Sequence, residues 1–159
     1  MKIKIVCIGK LKEKYLKEGI AEFLKRLQVY AKVEIVELAE TKIEDNPSAS
    51  QIKQVIDDEA KKLEKQLNLD DYVIVLDVKG KVINNEEYVE LINKACLNGK
   101  SSFCFIIGGS YGIGDSIKKR SDFSWSFSKL TFTHQMIRLM LVEQIYRGFK
   151  IMNNEPYHK

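Results

Sequence analysis

The stretch Ile106-Ile107-Gly108-Gly109-Ser110-Tyr111-Gly112-Ile113-Gly114 decides how this chain is read. An unbroken apolar run, Phe103–Ile107, leads into four glycines within seven residues. That pattern describes a buried strand whose backbone turns sharply at its carboxyl end. Glycine tolerates positive φ and lets main chain approach a ligand closely. In open α/β sheets the carboxyl edge of the strands is where ligands bind. Further strand signals occur at Lys2–Ile8, Val33–Leu38, Tyr72–Leu76 and, more weakly, Phe123–Phe127. Helical periodicity fills the gaps. Leu11–Leu27 puts Leu16, Ile20, Phe23, Leu24 and Leu27 on one stripe, and Ser50–Leu67 repeats the pattern. Asn84 followed by Glu87 reads as a capping box opening a helix to about Leu97. The alternation predicts an α/β domain over residues 1–159, with a mostly parallel sheet and helices on both faces.

A polar loop, Ser126–His134, follows the last strand signal. If it adjoins the glycine-rich turn, the two make a slot of backbone amides and carbonyls suited to an uncharged heterocycle such as adenine. The last helix, Thr133–Met152, has no wide polar face and calls for burial all round, inside the fold or against a partner. In a chain this small a subunit interface is the better account. Arg138, Glu143 and Arg147 interrupt it. Glu143 and Arg147 are four apart and can pair. Arg138 and Arg147 are nine apart and face opposite ways. The tail places Tyr157 beside His158, the side-chain type best suited to moving protons near neutral pH.

Composition sets the class. The chain has 159 residues, 45% of them hydrophobic, with two prolines and no apolar run of membrane-spanning length. Three scattered cysteines in apolar segments read as free thiols of a cytoplasmic protein. The net charge of +4 is uneven: residues 1–32 carry nine basic and three acidic groups, residues 33–72 five and eleven. Lys10, Lys12, Lys14 and Lys17 suit either phosphates or the solvated face of a helix. Several motifs fail. Gly99-Lys100-Ser101 has Lys94 where a phosphate loop needs glycine, and the first strand ends without a dinucleotide fingerprint. No histidine, cysteine or carboxylate spacing suits a metal. A non-catalytic nucleotide-binding or ribosome-associated module and a nicotinamide or flavin oxidoreductase are two classes that would use such a glycine-rich edge, the second weakened by the missing fingerprint.

The segments Ile107–Gly112, Ser126–Arg138 and Glu143–Arg147, closing on Tyr157-His158-Lys159, resemble the RlmH family over the whole chain. These are bacterial SPOUT-class enzymes that methylate N3 of a pseudouridine in 23S ribosomal RNA. Thr133 stands where members often carry proline. The resemblance implies a C-terminal trefoil knot, S-adenosyl-L-methionine as cofactor, a homodimer, and the 23S ribosomal RNA of the assembled ribosome as partner, with neither DNA nor membrane. It places cofactor contacts on Leu76, Gly108, Phe127, Ser128, Lys129, Leu130, Thr131 and Phe132. It turns the apolar last helix into a dimer interface. Chemistry then assigns candidate roles. Arg147, held by Glu143, would stabilise the imide anion formed at N3. His158 with Tyr157 would remove the proton, stack on the base, or both, and Arg138 would serve the cofactor pocket or the partner subunit.

Overall fold

The computed structural model of the chain describes residues 1–157. One sheet has the order β2-β1-β4-β3-β5, with every neighbouring pair parallel. Its strands are β1 (Lys2–Ile8), β2 (Lys32–Leu38), β3 (Tyr72–Val82), β4 (Ser102–Ile107) and β5 (Phe123–Ser126). The helices are α1 (Lys14–Leu27), α2 (Ala49–Glu64), α3 (Asn85–Leu97), α4 (Asp115–Arg120) and α5 (Met136–Met152). Among the described residues no helix is long and apolar enough to cross a membrane.

Strand alternation sorts the core onto two faces. Ile3, Ile5 and Cys7 of β1, with Phe103 and Phe105 of β4, pack against α1, α3 and α5. Val6 and Ile8, with Cys104 and Ile106, pack against α2 and α4. Burying each of the larger side chains contributes about 1.5–3 kcal/mol. Both ends of the Asn84–Glu87 capping box form, and a second box, Ser48–Gln51, opens α2.

Several boundaries differ from the periodicity; α5, for one, starts at Met136 and not at Thr133, and α2 ends at Glu64 and not at Leu67. Helix α1 begins at Lys14, not Leu11, because the Leu11 N–H donates to the Glu37 carboxylate and the Lys12 N–H to the Gln135 side chain, each at 2.8 Å. Those bonds hold the segment as a link between β1 and the rest of that edge. Strand β3 runs six residues past Leu76. Trp125 of β5 pairs first with Leu76 and again with Lys81, so residues 77–80 bulge out between the two pairings. Gly80 makes the second pairing possible: a Cβ there would lie 2.7 Å from the Ser124 carbonyl. Helix α4 carried no periodic signal, since Ile117 is its one buried residue.

After β5 the chain turns back across the carboxyl ends of β3 and β4 and reaches the end of β1, where α5 begins. This return is consistent with the trefoil knot that the resemblance implies. Helix α5 packs on α1 and α3. In a single chain it buries Leu141, Val142, Ile145, Gly148 and Phe149, while Met136, Met140, Gln144 and Ile151 stay half-buried on other sides.

Candidate functional site

At the carboxyl edge of β3, β4 and β5 lies a cavity of about 710 Å³. Leu76, at the start of the β3 bulge, and Ile107, the last residue of β4, form its back. The glycine-rich turn closes one side and the Trp125–Gln135 segment the other. The two loops therefore adjoin. Gly112 has φ +97°, and its N–H donates to the Gly109 carbonyl at 3.1 Å, which closes the tight turn. A Cβ on Gly108 would stand 2.5 Å from Ile113 and 2.8 Å from the Gly112 carbonyl oxygen, so the turn is compact enough to exclude any side chain there. In the opposite loop, the Ser126 hydroxyl donates to the Ser128 carbonyl at 2.9 Å, and the Leu130 N–H donates to the Ser128 hydroxyl at 3.0 Å. These side chains shape the loop. Trp125 is fixed between Tyr88, stacked at 4.7 Å, and Phe127, edge-on at 4.5 Å.

The cavity wall is nearly uncharged. Among the described residues, the titratable ones that line it are Asp77 and His134. Burial acts to raise the Asp77 carboxyl, but the Lys118 ammonium at 2.7 Å and the Lys79 N–H outweigh it and hold the group below its ordinary value. His134 lies 3.4 Å from the Glu40 carboxylate, yet burial dominates and pulls its imidazole below the ordinary value.

Of the residues expected to meet the cofactor, Leu76, Gly108, Phe127, Ser128, Leu130, Thr131 and Phe132 line this cavity. Lys129 belongs to the same run but is exposed and outside the lining. Asp77 and Trp125 line it without having been singled out. Asp77 directly follows Leu76, where the strand signal ends, which is a legible cue, whereas Trp125 lies inside the weak Phe123–Phe127 strand signal with nothing local to mark it.

A second group of side chains lies elsewhere. Arg147 Nε donates to Glu143 Oε1 at 3.0 Å, the Tyr157 hydroxyl donates to the same oxygen at 3.0 Å, and the guanidinium sits 4.5 Å from the centre of the Tyr157 ring. Burial, and then the bond to Glu143, push the Tyr157 phenol above its ordinary value, so it keeps its proton and donates. His158 lies outside the described residues. Ten residues separate Ile137, at the cavity, from Arg147, or roughly 15 Å along a helix. One chain therefore does not bring this cluster to the cavity.

Arg138 takes a third position. Its side chain is 1% exposed and donates to Glu37 at 2.8 Å and to the carbonyls of Ile8 and Gly9 at 3.0 and 2.7 Å. The expectation that it serves the cofactor pocket or a partner is corrected: it braces the start of α5 on the end of β1. Cys7 and Cys104 are buried, and burial pushes each thiol to about 12, which removes them as nucleophiles.

A cleft at the carboxyl edge of a parallel sheet, walled mostly by main chain and apolar groups, has the form of a small-molecule site in an α/β protein. The family model described as "Predicted SPOUT methyltransferase" matches residues 1–158. Proteins called ribosomal RNA large subunit methyltransferase H are 48% identical in Bacillus pumilus and 49% in Enterococcus faecalis, each over the full length of both chains. A solved structure, a probable methylase family protein from Haemophilus influenzae, superposes with TM-score 0.55 at 13% identity, covering 99% of this chain and 70% of that one; it supports the fold alone. The chain belongs to the SPOUT methyltransferases and, within them, to the RlmH family.

Proposed function

We propose that this protein transfers the methyl group of S-adenosyl-L-methionine to N3 of a pseudouridine in 23S ribosomal RNA, as a homodimer acting on the assembled ribosome in the cytoplasm. The observation that carries this reading is the nearly uncharged cavity lined by Leu76, Gly108, Phe127, Ser128, Leu130, Thr131 and Phe132, in a chain nearly half identical to named ribosomal RNA methyltransferases. The residues fit the cofactor. Main chain at Gly108 and in the 127–132 loop offers donors and acceptors to an adenine edge, and Leu76, Ile107 and Trp125 supply apolar surface for its face. When bound, the cofactor supplies a methyl already activated as a sulfonium.

The protein's task is then alignment and proton handling. N3 lies between two carbonyls and must lose a proton as it bonds to the methyl carbon. Arg147 suits stabilisation of the charge that develops on those carbonyls, because Glu143 and the Tyr157 ring fix its guanidinium before substrate arrives. Tyr157 holds its own proton against Glu143, so it orients Arg147, and removal of the N3 proton falls to His158. Within one chain Arg147 is too far from the cavity to serve it. A second copy seated on the half-buried Met136, Met140, Gln144 and Ile151 side of α5 would bring Arg147 of the partner subunit to the cavity mouth. Lys10, Lys12 and Lys14 of both copies would then face phosphates.

The test is transfer of labelled methyl from S-adenosyl-L-methionine to ribosomes from cells lacking this gene, with isolated large subunits and naked RNA in parallel. Label on N3 of a pseudouridine, strongest in assembled ribosomes, is expected. Cofactor binding without label in any ribosomal fraction would overturn the substrate assignment.

A further inference from the structure

The tail that carries Tyr157 does not simply run off α5. Helix α5 ends in a Schellman motif: the Asn154 N–H donates to the Ile151 carbonyl at 3.0 Å, and the Glu155 N–H to the Lys150 carbonyl at 2.8 Å. Asn154 has φ +55°, the left-handed value this motif requires. Among the described residues it is the one non-glycine with positive φ. The chain thereby reverses, and Tyr157 returns along the helix to reach Glu143, fourteen residues earlier.

A Schellman turn sets the reversal but not the path beyond it. Here a side chain does. The Glu155 carboxylate accepts from the Tyr30 hydroxyl at 2.8 Å and from the Lys150 ammonium. The residue before a proline is confined to extended backbone, and Pro156 has a fixed φ. Few soft torsions therefore separate the anchored Glu155 from Tyr157. Tyr30 is itself held in place. Its N–H donates to the Leu27 carbonyl at 2.9 Å, and its ring stacks on Phe149 with centroids 5.5 Å apart. It also meets Tyr146 edge-on, and Tyr146 meets Tyr157 edge-on at 5.1 Å. One aromatic series thus links the α1–β2 connection to the tail.

We propose that Glu155, clamped between Tyr30 and Lys150, is a positioning residue that fixes the path of the tail and so sets the Tyr157 ring against Arg147. Its bearing on methyl transfer rests on the reading above, in which Arg147 and the tail act on the base. The directions of titration agree with the clamp: the Lys150 bond, and then the Tyr30 bond, hold the Glu155 carboxyl below its ordinary value.

The experiment compares Glu155→Ala, Glu155→Gln and Tyr30→Phe in the full-length protein. Two readouts are taken: the tyrosine-ring NMR signal of Tyr157, identified by its loss in Tyr157→Ala, and the kcat, KM and cofactor affinity of methyl transfer. Glu155→Ala should move the Tyr157 signal toward that of a solvent-averaged tyrosine and lower kcat about tenfold, with cofactor affinity unchanged. Glu155→Gln, which can still accept from Tyr30, should restore most of both, and Tyr30→Phe should fall between. In a Tyr157→Ala background, Glu155→Ala should add little further loss. An unmoved Tyr157 signal in Glu155→Ala overturns the clamp whatever the activity. A moved signal with unchanged kcat supports the clamp and overturns the role of the tail in the reaction.

Discussion

Two arginines on one helix, nine residues apart, have opposite fates. Arg138 is 1% exposed and its terminal nitrogens are occupied by Glu37 and by two carbonyls at the end of β1. Its Nε, also buried, has no hydrogen-bond partner among the described residues. Arg147 is 19% exposed and is held by a carboxylate and an aromatic ring. Backbone acceptors and full burial make a brace. A partly exposed cation oriented by Glu143 and Tyr157 remains able to meet a substrate. Residue type and helix are the same in both cases, so environment separates structure from chemistry.

The largest effect should come from breaking the brace. Arg138→Met leaves Glu37 and two strand-end carbonyls without their buried donor, and should lower stability by about 3–5 kcal/mol in denaturant unfolding. A midpoint indistinguishable from wild type would mean that the buried network is dispensable. Arg147→Ala should do the reverse. Methyl transfer should fall about 10²–10³-fold, while stability changes by less than about 1 kcal/mol, as for other partly exposed i,i+4 pairs. Comparable losses of stability in both variants would erase the distinction. Gly108→Ala should weaken cofactor binding by about tenfold or more in calorimetry, because its Cβ cannot fit beside Ile113 without moving the turn. Unchanged affinity would show that the turn yields freely.

The smallest expected effect concerns pH. His134 titrates below its ordinary value because it is partly buried, so the unfolded chain binds more protons in the interval just below the unfolded imidazole pKa. Stability contributed there is present at neutral pH and lost as pH falls. The melting temperature of His134→Gln should therefore drop less than that of wild type between neutral pH and about pH 5. An identical drop would place the acid sensitivity elsewhere.

Much of this was legible in the sequence wherever the signal was local. The strand periodicities, the Asn84–Glu87 cap and the four-residue spacing of Glu143 and Arg147 each involve neighbours on one element. Features that needed distant partners were not. The second half of β3 depends on Gly80 fitting against Ser124 across the sheet. The inward turn of Arg138 depends on carbonyls about 130 residues away. The two cavity loops were readable as a glycine-rich turn and a polar loop, yet their adjacency comes from the return of the chain over β3 and β4. The fold-back of Tyr157 had one local signal, an Asn-Asn pair after the last helix, since asparagine tolerates the left-handed position that ends a helix.

In the proposed homodimer the cavity of one copy meets the arginine cluster of the other. Subunit mixing is the test. Gly108→Val, which blocks the cavity, and Arg147→Ala, which removes the cation, should each be nearly inactive as homodimers. Mixed and re-equilibrated, half of the dimers would carry one intact composite site, and activity should return to about a quarter of wild type. No recovery, with mixed dimers isolated by tags on both chains, would contradict the claim and place the whole reaction within one subunit.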